Sequence, residues 1–366
     1  MKKNVISVVI FAVLIYGISA LCIFAPKDEY SESERRVLAK LPDFSKETLL
    51  NGDFAKGFEE YATDNFPMRD TMRSLKAYFA TNALGKADNN GLFTADGHIS
   101  KIDEPIDYAM LDIASDKLRK IVNNIVKDDS TKVYFSIVPD KNMYLANKNG
   151  YPSINYTEFI EEMKDRTEFM EYIDITHLLD ANDYYYTDTH WRQEKIGDVA
   201  EHIASSMGSD IEAVYDVNTL DTPFNGVYVG QYAMKTEPDT IRYLTNDTIQ
   251  NAVVSYCDDN GMFRRGDMYN MDKAKGHDAY EMFLSGSMPL VTIENPDANT
   301  DKELIMFRDS YGSSLAPFFV QGYKKITLAD IRYMESGMLG GLLNTDNADV
   351  LFIYSTSLLN KSTALR

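Results

Sequence analysis

Leu304-Ile305-Met306-Phe307-Arg308-Asp309-Ser310-Tyr311 is the stretch that decides the fold. Four apolar residues in a row read as a strand, a polar corner follows, and Tyr311 to Gly322 has the spacing of a helix. The pattern then repeats. Ile326-Thr327-Leu328 reads as a strand, residues 334–344 as a helix and Val350-Leu351-Phe352-Ile353-Tyr354 as a strand. Strands alternating with helices predict an α/β fold with a doubly wound, mainly parallel sheet flanked by helices.

Upstream the same grammar continues. Leu111, Leu118, Ile121, Val122, Ile125 and Val126 recur at helical spacing between Tyr108 and Lys127. Val133-Tyr134-Phe135-Ser136-Ile137-Val138 is a buried strand ending at Pro139. Residues 156–170 read as a helix, Tyr172-Ile173-Asp174-Ile175 as a short strand, and Arg192 to Met207 as another helix. Residues 52–82 are helical with a stop at Phe66-Pro67. Between about 215 and 295 the chain is rich in Gly, Asp and Asn and predicts short strands and turns of unassigned topology. There is no internal repeat.

The chain has 366 residues, 44% of them apolar, enough for one large α/β domain or two small ones. A net charge of −19 repels phosphates and disfavours a nucleic-acid partner. It also suits a strongly anionic polymer poorly unless the cleft is locally basic. Cys22 lies in the apolar N-terminal stretch and Cys257 is alone in the folded part, so neither an intramolecular disulfide nor a cysteine zinc motif is expected.

The first segment bears on the compartment. Met1-Lys2-Lys3-Asn4 precedes an uncharged run from Val5 to Ala25, and Lys27, Asp28 and Glu29 follow it. About 20 apolar residues span a bilayer as a helix. Retention of the positive flank inside places the rest of the chain outside the cytoplasm. A cleaved signal peptide is the competing reading, against which stand the length of the run and the lack of a small-x-small cleavage site. The expected division is a membrane anchor over 1–26, a linker and lead-in over 27–50, with Ser31-Glu32-Ser33-Glu34-Arg35-Arg36 and Leu41-Pro42-Asp43, and a catalytic domain over 51–366.

Two short blocks carry chemistry. Ser310 follows an apolar strand and opens a helix, so its hydroxyl faces the crevice at a strand's carboxyl end, beside N–H groups able to stabilise an oxyanion. Simple helix capping competes with that reading. In Tyr186-Thr187-Asp188-Thr189-His190-Trp191, a histidine has a carboxylate two residues earlier. A serine hydroxyl needs a base, histidine is the usual one, and a carboxylate can fix its tautomer. Alone, the block reads equally as a surface turn leading into a helix.

Together the blocks resemble the DHHW family, with Thr189 where the name-giving histidine would stand. That family is similar to SGNH-like proteins of alginate-type polysaccharide O-acetylation. Ser33-Glu34-Arg35-Arg36-Val37-Leu38, Asp64-Asn65-Phe66-Pro67-Met68-Arg69-Asp70, Val138-Pro139-Asp140-Lys141 and Asp330-Ile331-Arg332-Tyr333 extend the resemblance over nearly everything after the anchor. It implies an SGNH-hydrolase-like fold with Ser310 as nucleophile, His190 as base and Asp188 as its orienter. Arg332, Tyr311 and Trp191 are the expected substrate-binding residues, with a structural ion pair as the rival role for Arg332. Two departures stand out. Arg308 replaces the glycine of a Gly-Asp-Ser block, and no Gly-x-Asn block is evident, leaving Asn360 as a weak stand-in.

The resemblance implies acetyl transfer to hydroxyls of an exported or cell-wall polysaccharide through an acyl-serine. A membrane-bound acyltransferase would be the source of the acetyl group, since acetyl-CoA is absent outside the cell. Hydrolysis by the same three residues, or a non-catalytic glycan-binding or scaffold role, are the alternatives. No cofactor or metal is expected: His98, His177 and His277 lack ligand spacing with one another, and His202, in the helix predicted after Trp191, reads as structural. Gly91, Gly97 and Gly340-Gly341 form no phosphate loop.

Overall fold

A computed structural model describes residues 2–128, 131–211, 214–257 and 261–365. Met1 of the basic N-terminal flank lies outside them, as do the side chains of Lys2 and Lys3. The chain divides into two compact units, one of Met1–Asn90 with Val229–Thr236, the other of Gly91–Tyr228 with Glu237–Arg366.

The first unit begins with helix α1 (Lys2–Phe24). Its Val5–Phe24 portion is long and apolar enough to cross a membrane, and none of it is buried. At 1.5 Å per residue those 20 residues reach about 30 Å, the thickness of a bilayer's hydrocarbon core. Helices α2 (Asp53–Asp64) and α3 (Arg69–Tyr78) follow. Pro67 disfavours helical backbone at Phe66 and separates them. An ion cluster fastens this unit. Arg36 forks onto Asp64 at 2.5 and 2.8 Å, and Ala39 N–H donates to the same carboxylate. Arg69 and Arg73 both reach Glu34, at 2.5 and 3.2 Å. Two blocks separated by some thirty residues, around Glu34 and around Asp64, thus meet in one network.

The second unit holds helix α4 (Tyr108–Ile125), strand β1 (Val133–Val138), helix α5 (Tyr156–Arg166), strand β2 (Glu171–Tyr172) and helix α6 (Gly197–Ser206). Strands β3 (Val253–Cys257), β4 (Phe263–Gly266), β5 (Leu290–Glu294) and β6 (Glu303–Arg308) come next. Helix α7 (Tyr311–Leu315) and strands β7 (Lys325–Ala329) and β8 (Ala348–Ser355) follow. The eight strands form one sheet in the order β4-β3-β5-β7-β6-β8-β1-β2.

The sheet is mixed, which corrects the mainly parallel expectation. From β7 to β2 every pairing is parallel, but β7–β5, β5–β3 and β3–β4 are antiparallel. The extra strands come from the segment whose topology the sequence left open. Strand β4 is largely exposed and reads Phe-Arg-Arg-Gly, without the apolar run of a buried parallel strand.

Alternation along β6 builds two cores. Leu304 and Met306 pack with Val199 and Ile203 of α6 on one face. Ile305 and Phe307 pack with Leu111 and Leu118 of α4 and Phe159 of α5 on the other. Since β6, β8 and β1 run the same way, the segments after them gather at one end of the sheet. Asp309 accepts from Ser355 N–H at 2.8 Å, and Thr356 donates to Asp140 at 2.9 Å.

Candidate active site

Ser310 stands one residue beyond β6, separated from it by Asp309, at the head of α7. Its side chain does not cap that helix. Asp309 takes the role instead, accepting from Tyr311 N–H at 3.1 Å. The Ser310 hydroxyl lies 2.7 Å from Nε2 of His190. The backbone donors expected to serve an oxyanion are engaged elsewhere: Tyr311, Gly312 and Ser313 N–H donate to Asp309 Oδ1, Asp309 O and Ser310 O.

His190 and Asp188 sit in a tight loop. Tyr184 and Trp191 pair as an antiparallel bridge, and Tyr185 N–H donates to His190 O. Inside this turn Asp188 Oδ1 lies 2.6 Å from His190 Nδ1 and accepts His190 N–H at 3.1 Å. Val227 N–H donates to its other oxygen at 2.8 Å. Burial pushes the Asp188 carboxyl up, but the His190 ring and these hydrogen bonds outweigh it and hold the carboxyl well below the usual range. An ionised carboxylate only accepts, so Nδ1 carries a proton toward Asp188 and Nε2 is the ring nitrogen that faces the Ser310 hydroxyl.

The loop is clamped from both sides. Lys141 is fully buried, and its ammonium donates to the carbonyls of Tyr185, Tyr186 and Asp188 at 2.8, 3.2 and 2.8 Å. Burial presses its pKa down to about 7, against the pull of Asp188, Asp239 and Asp140. On the other side Asp239 accepts from Tyr186 N–H, Thr187 N–H and the Thr187 hydroxyl at 2.9, 2.7 and 2.6 Å. Gly226 lies so close that a Cβ there would meet Thr187 O at 2.3 Å, and its N–H donates to the Thr187 hydroxyl. Tyr280 lies flat on the His190 ring, 3.8 Å between centroids and 9° between planes, with its hydroxyl 2.8 Å from Ser314 Oγ.

The residues expected to bind substrate have other places. Trp191 is fully buried, its indole N–H donating to Ser314 Oγ at 2.9 Å, so it offers no face to a sugar. Tyr311 is buried too, and its hydroxyl donates to Thr189 O at 2.8 Å. Tyr311 lies against the His190 ring, 5.0 Å between centroids, and Trp191 meets Tyr311 edge-on. Arg332 forks onto Asp330 through Nε and Nη2 at 2.9 and 2.6 Å, the ion-pair role. Buried Arg308 approaches the same carboxylate at 3.5 Å, and Gly312 leaves it room, since a Cβ there would lie 2.5 Å from Arg308 Cβ. Asn360 accepts from Asp107 N–H and donates to Pro105 O, so both ends of its amide are tied to the segment before α4.

The sequence does not mark Lys141, Gly226, Val227, Asp239 and Tyr280 as site residues. Lys141 belongs to the Val138–Lys141 block and Asn225-Gly226 is a turn signal, but nothing local distinguishes Tyr280 among 24 tyrosines.

No protein-family model matches the chain, and no curated protein matches it. Solved structures do. A DHHW family protein from Eubacterium siraeum is 22% identical, with a TM-score of 0.60 over 76% of this chain and 94% of that one. Bacillus cereus PatB1, solved with a sulfonyl adduct, is 17% identical, with a TM-score of 0.57 over 73% of this chain and 95% of its own. This chain shares their fold.

Proposed function

We propose that the chain is a membrane-held, extracytoplasmic O-acetyltransferase that moves an acyl group through Ser310 to a hydroxyl of a cell-surface polysaccharide. The observation that carries this is the unbroken run of hydrogen bonds Ser310–His190–Asp188, 2.7 and 2.6 Å long, at the carboxyl end of β6. In the first half-reaction Ser310 Oγ attacks the donor carbonyl carbon while its proton passes to His190 Nε2. Collapse of the tetrahedral intermediate breaks the bond to the leaving group, which takes the proton from His190, and leaves acyl-Ser310. In the second half-reaction His190 removes the proton of a sugar hydroxyl as its oxygen attacks the acyl carbon. Ser310 leaves and regains a proton from His190. Asp188 keeps the ring in one tautomer and stabilises the imidazolium between steps.

The donor arrives through a membrane-bound acyltransferase, and α1 keeps the chain at that membrane. The adduct named for PatB1 suggests a probe: a sulfonyl fluoride should label Ser310 and block turnover. The deciding experiment follows acetyl release from a chromogenic ester with and without an acceptor glycan. Transfer predicts acetylated glycan and release accelerated by acceptor; equal release to water in both would mean an esterase. Activity unchanged in Ser310→Ala would end the acyl-Ser310 mechanism.

A further inference from the structure

The first unit exposes far more apolar surface than its size explains. In α3 and just beyond it, Met68, Met72, Leu75 and Phe79 are 65, 44, 60 and 56% exposed. Met72, Leu75 and Phe79 stand at i, i+3 and i+7 and form one stripe along a helix face that points to solvent, with Met68, the left-handed residue that opens α3, exposed at its start. Phe58 and Phe66 join Met72 in lining an adjoining groove of about 780 Å³ between α2 and α3. Phe44, Leu49 and Leu50 are exposed in the same unit. A soluble surface rarely carries so large a contiguous apolar patch unless something covers it.

Charge and tether indicate what covers it. The first unit has 13 Lys and Arg against 12 Asp and Glu, a net of +1, so with −19 for the whole chain the second unit carries −20; without Lys2 and Lys3, which a spanning α1 holds on the far side, the first unit's net is −1. An anionic bilayer surface repels the second unit strongly and the first hardly at all. Helix α1 ends at Phe24, and the first paired residue after it is Tyr30. Six residues reach about 20 Å at most, so the first unit cannot leave the vicinity of the membrane that α1 spans. Amphipathic helices with such stripes bury their apolar face in the headgroup layer.

We propose that the Met72–Leu75–Phe79 stripe rests in the outer headgroup layer of that same bilayer, as a second membrane contact. It rests on reading α1 as a membrane span. The test uses the full chain with Cys22 and Cys257 replaced by alanine, reconstituted into vesicles of phosphatidylethanolamine and phosphatidylglycerol. Single cysteines at Met72, Leu75, Ile23 and Leu342 carry an environment-sensitive fluorophore, with lipids bearing a quencher near the headgroup. Labels at 72 and 75 should lose most of their fluorescence, the label at 342 in the second unit should keep it, and Leu75→Glu should restore the label at 72. Quenching at 23 without quenching at 72 and 75 would overturn the proposal while leaving the anchor standing. The proposal falls equally if the stripe is shielded only in native membranes, meaning a protein partner, or only by cross-linking to a second copy. No quenching at 23 would instead remove the anchor reading itself, and the proposal with it.

Discussion

At the scale of single residues, two blocks of the sequence announce their chemistry because each is local. An Asp-x-His turn and a Ser after an apolar strand can be read without knowing the fold. That His190 Nε2 and Ser310 Oγ stand 2.7 Å apart across 120 residues is a product of the fold. Asp188→Asn keeps the shape of the loop but replaces an obligate acceptor with an amide able to donate, so the ring can settle in the wrong tautomer. Acyl transfer should fall by up to about 10⁴-fold with the melting temperature little changed; a defect below tenfold in steady-state kinetics would remove Asp188 from the role. Lys141 is not legible as a site residue, since its function is to satisfy three carbonyls brought to it by tertiary structure. Lys141→Met leaves those buried acceptors without a donor, at a cost of about 3 kcal/mol. Denaturant unfolding should show that loss, together with a lower kcat from a loosened loop.

At the scale of elements, legibility follows burial. Strands β6, β7 and β8 lie inside the sheet and are runs of apolar residues, so they declare themselves. Strand β4 is the edge strand and largely exposed, β3 beside it is only partly buried, and their pattern resembles that of the turns around them. The sequence leaves their pairing open for that reason. In the first unit the break at Pro67 is readable, but the ion cluster joining Glu34, Arg36, Asp64, Arg69 and Arg73 is not. Arg36's hydrogen bonds hold the Asp64 carboxyl down to about 2; burial opposes them and Ala39 N–H adds to them. The folded pKa is below the unfolded value of about 3.9, so this carboxylate's stabilisation is full above that value and is lost as pH falls through about 2. Unfolding of the native chain and of Asp64→Asn, followed from neutral pH downward, should show a gap in stability that closes between about pH 4 and pH 2. A gap independent of pH would mean that Asp64 acts by packing alone.

At the scale of the whole molecule, the chain combines a helix fit for a membrane, a nearly neutral first unit and a strongly acidic second unit that carries the Ser310–His190–Asp188 arrangement. A reporter enzyme active only outside the cytoplasm, fused after Arg366, should be active, with the fusion protein sedimenting with membranes. A silent fusion at normal expression would reverse the orientation read from Lys2 and Lys3. The division of labour among the residues reduces to one claim, that Ser310 carries the acyl group. Brief reaction with an activated acetyl ester, acid quenching and mass spectrometry of the peptides tests it most directly. The account predicts one acetyl group on the peptide containing Ser310, absent from Ser310→Ala, strongly reduced in His190→Ala and discharged when acceptor glycan is added before the quench. Continued turnover of the ester by Ser310→Ala, or an acetyl group found only on another residue, would contradict it.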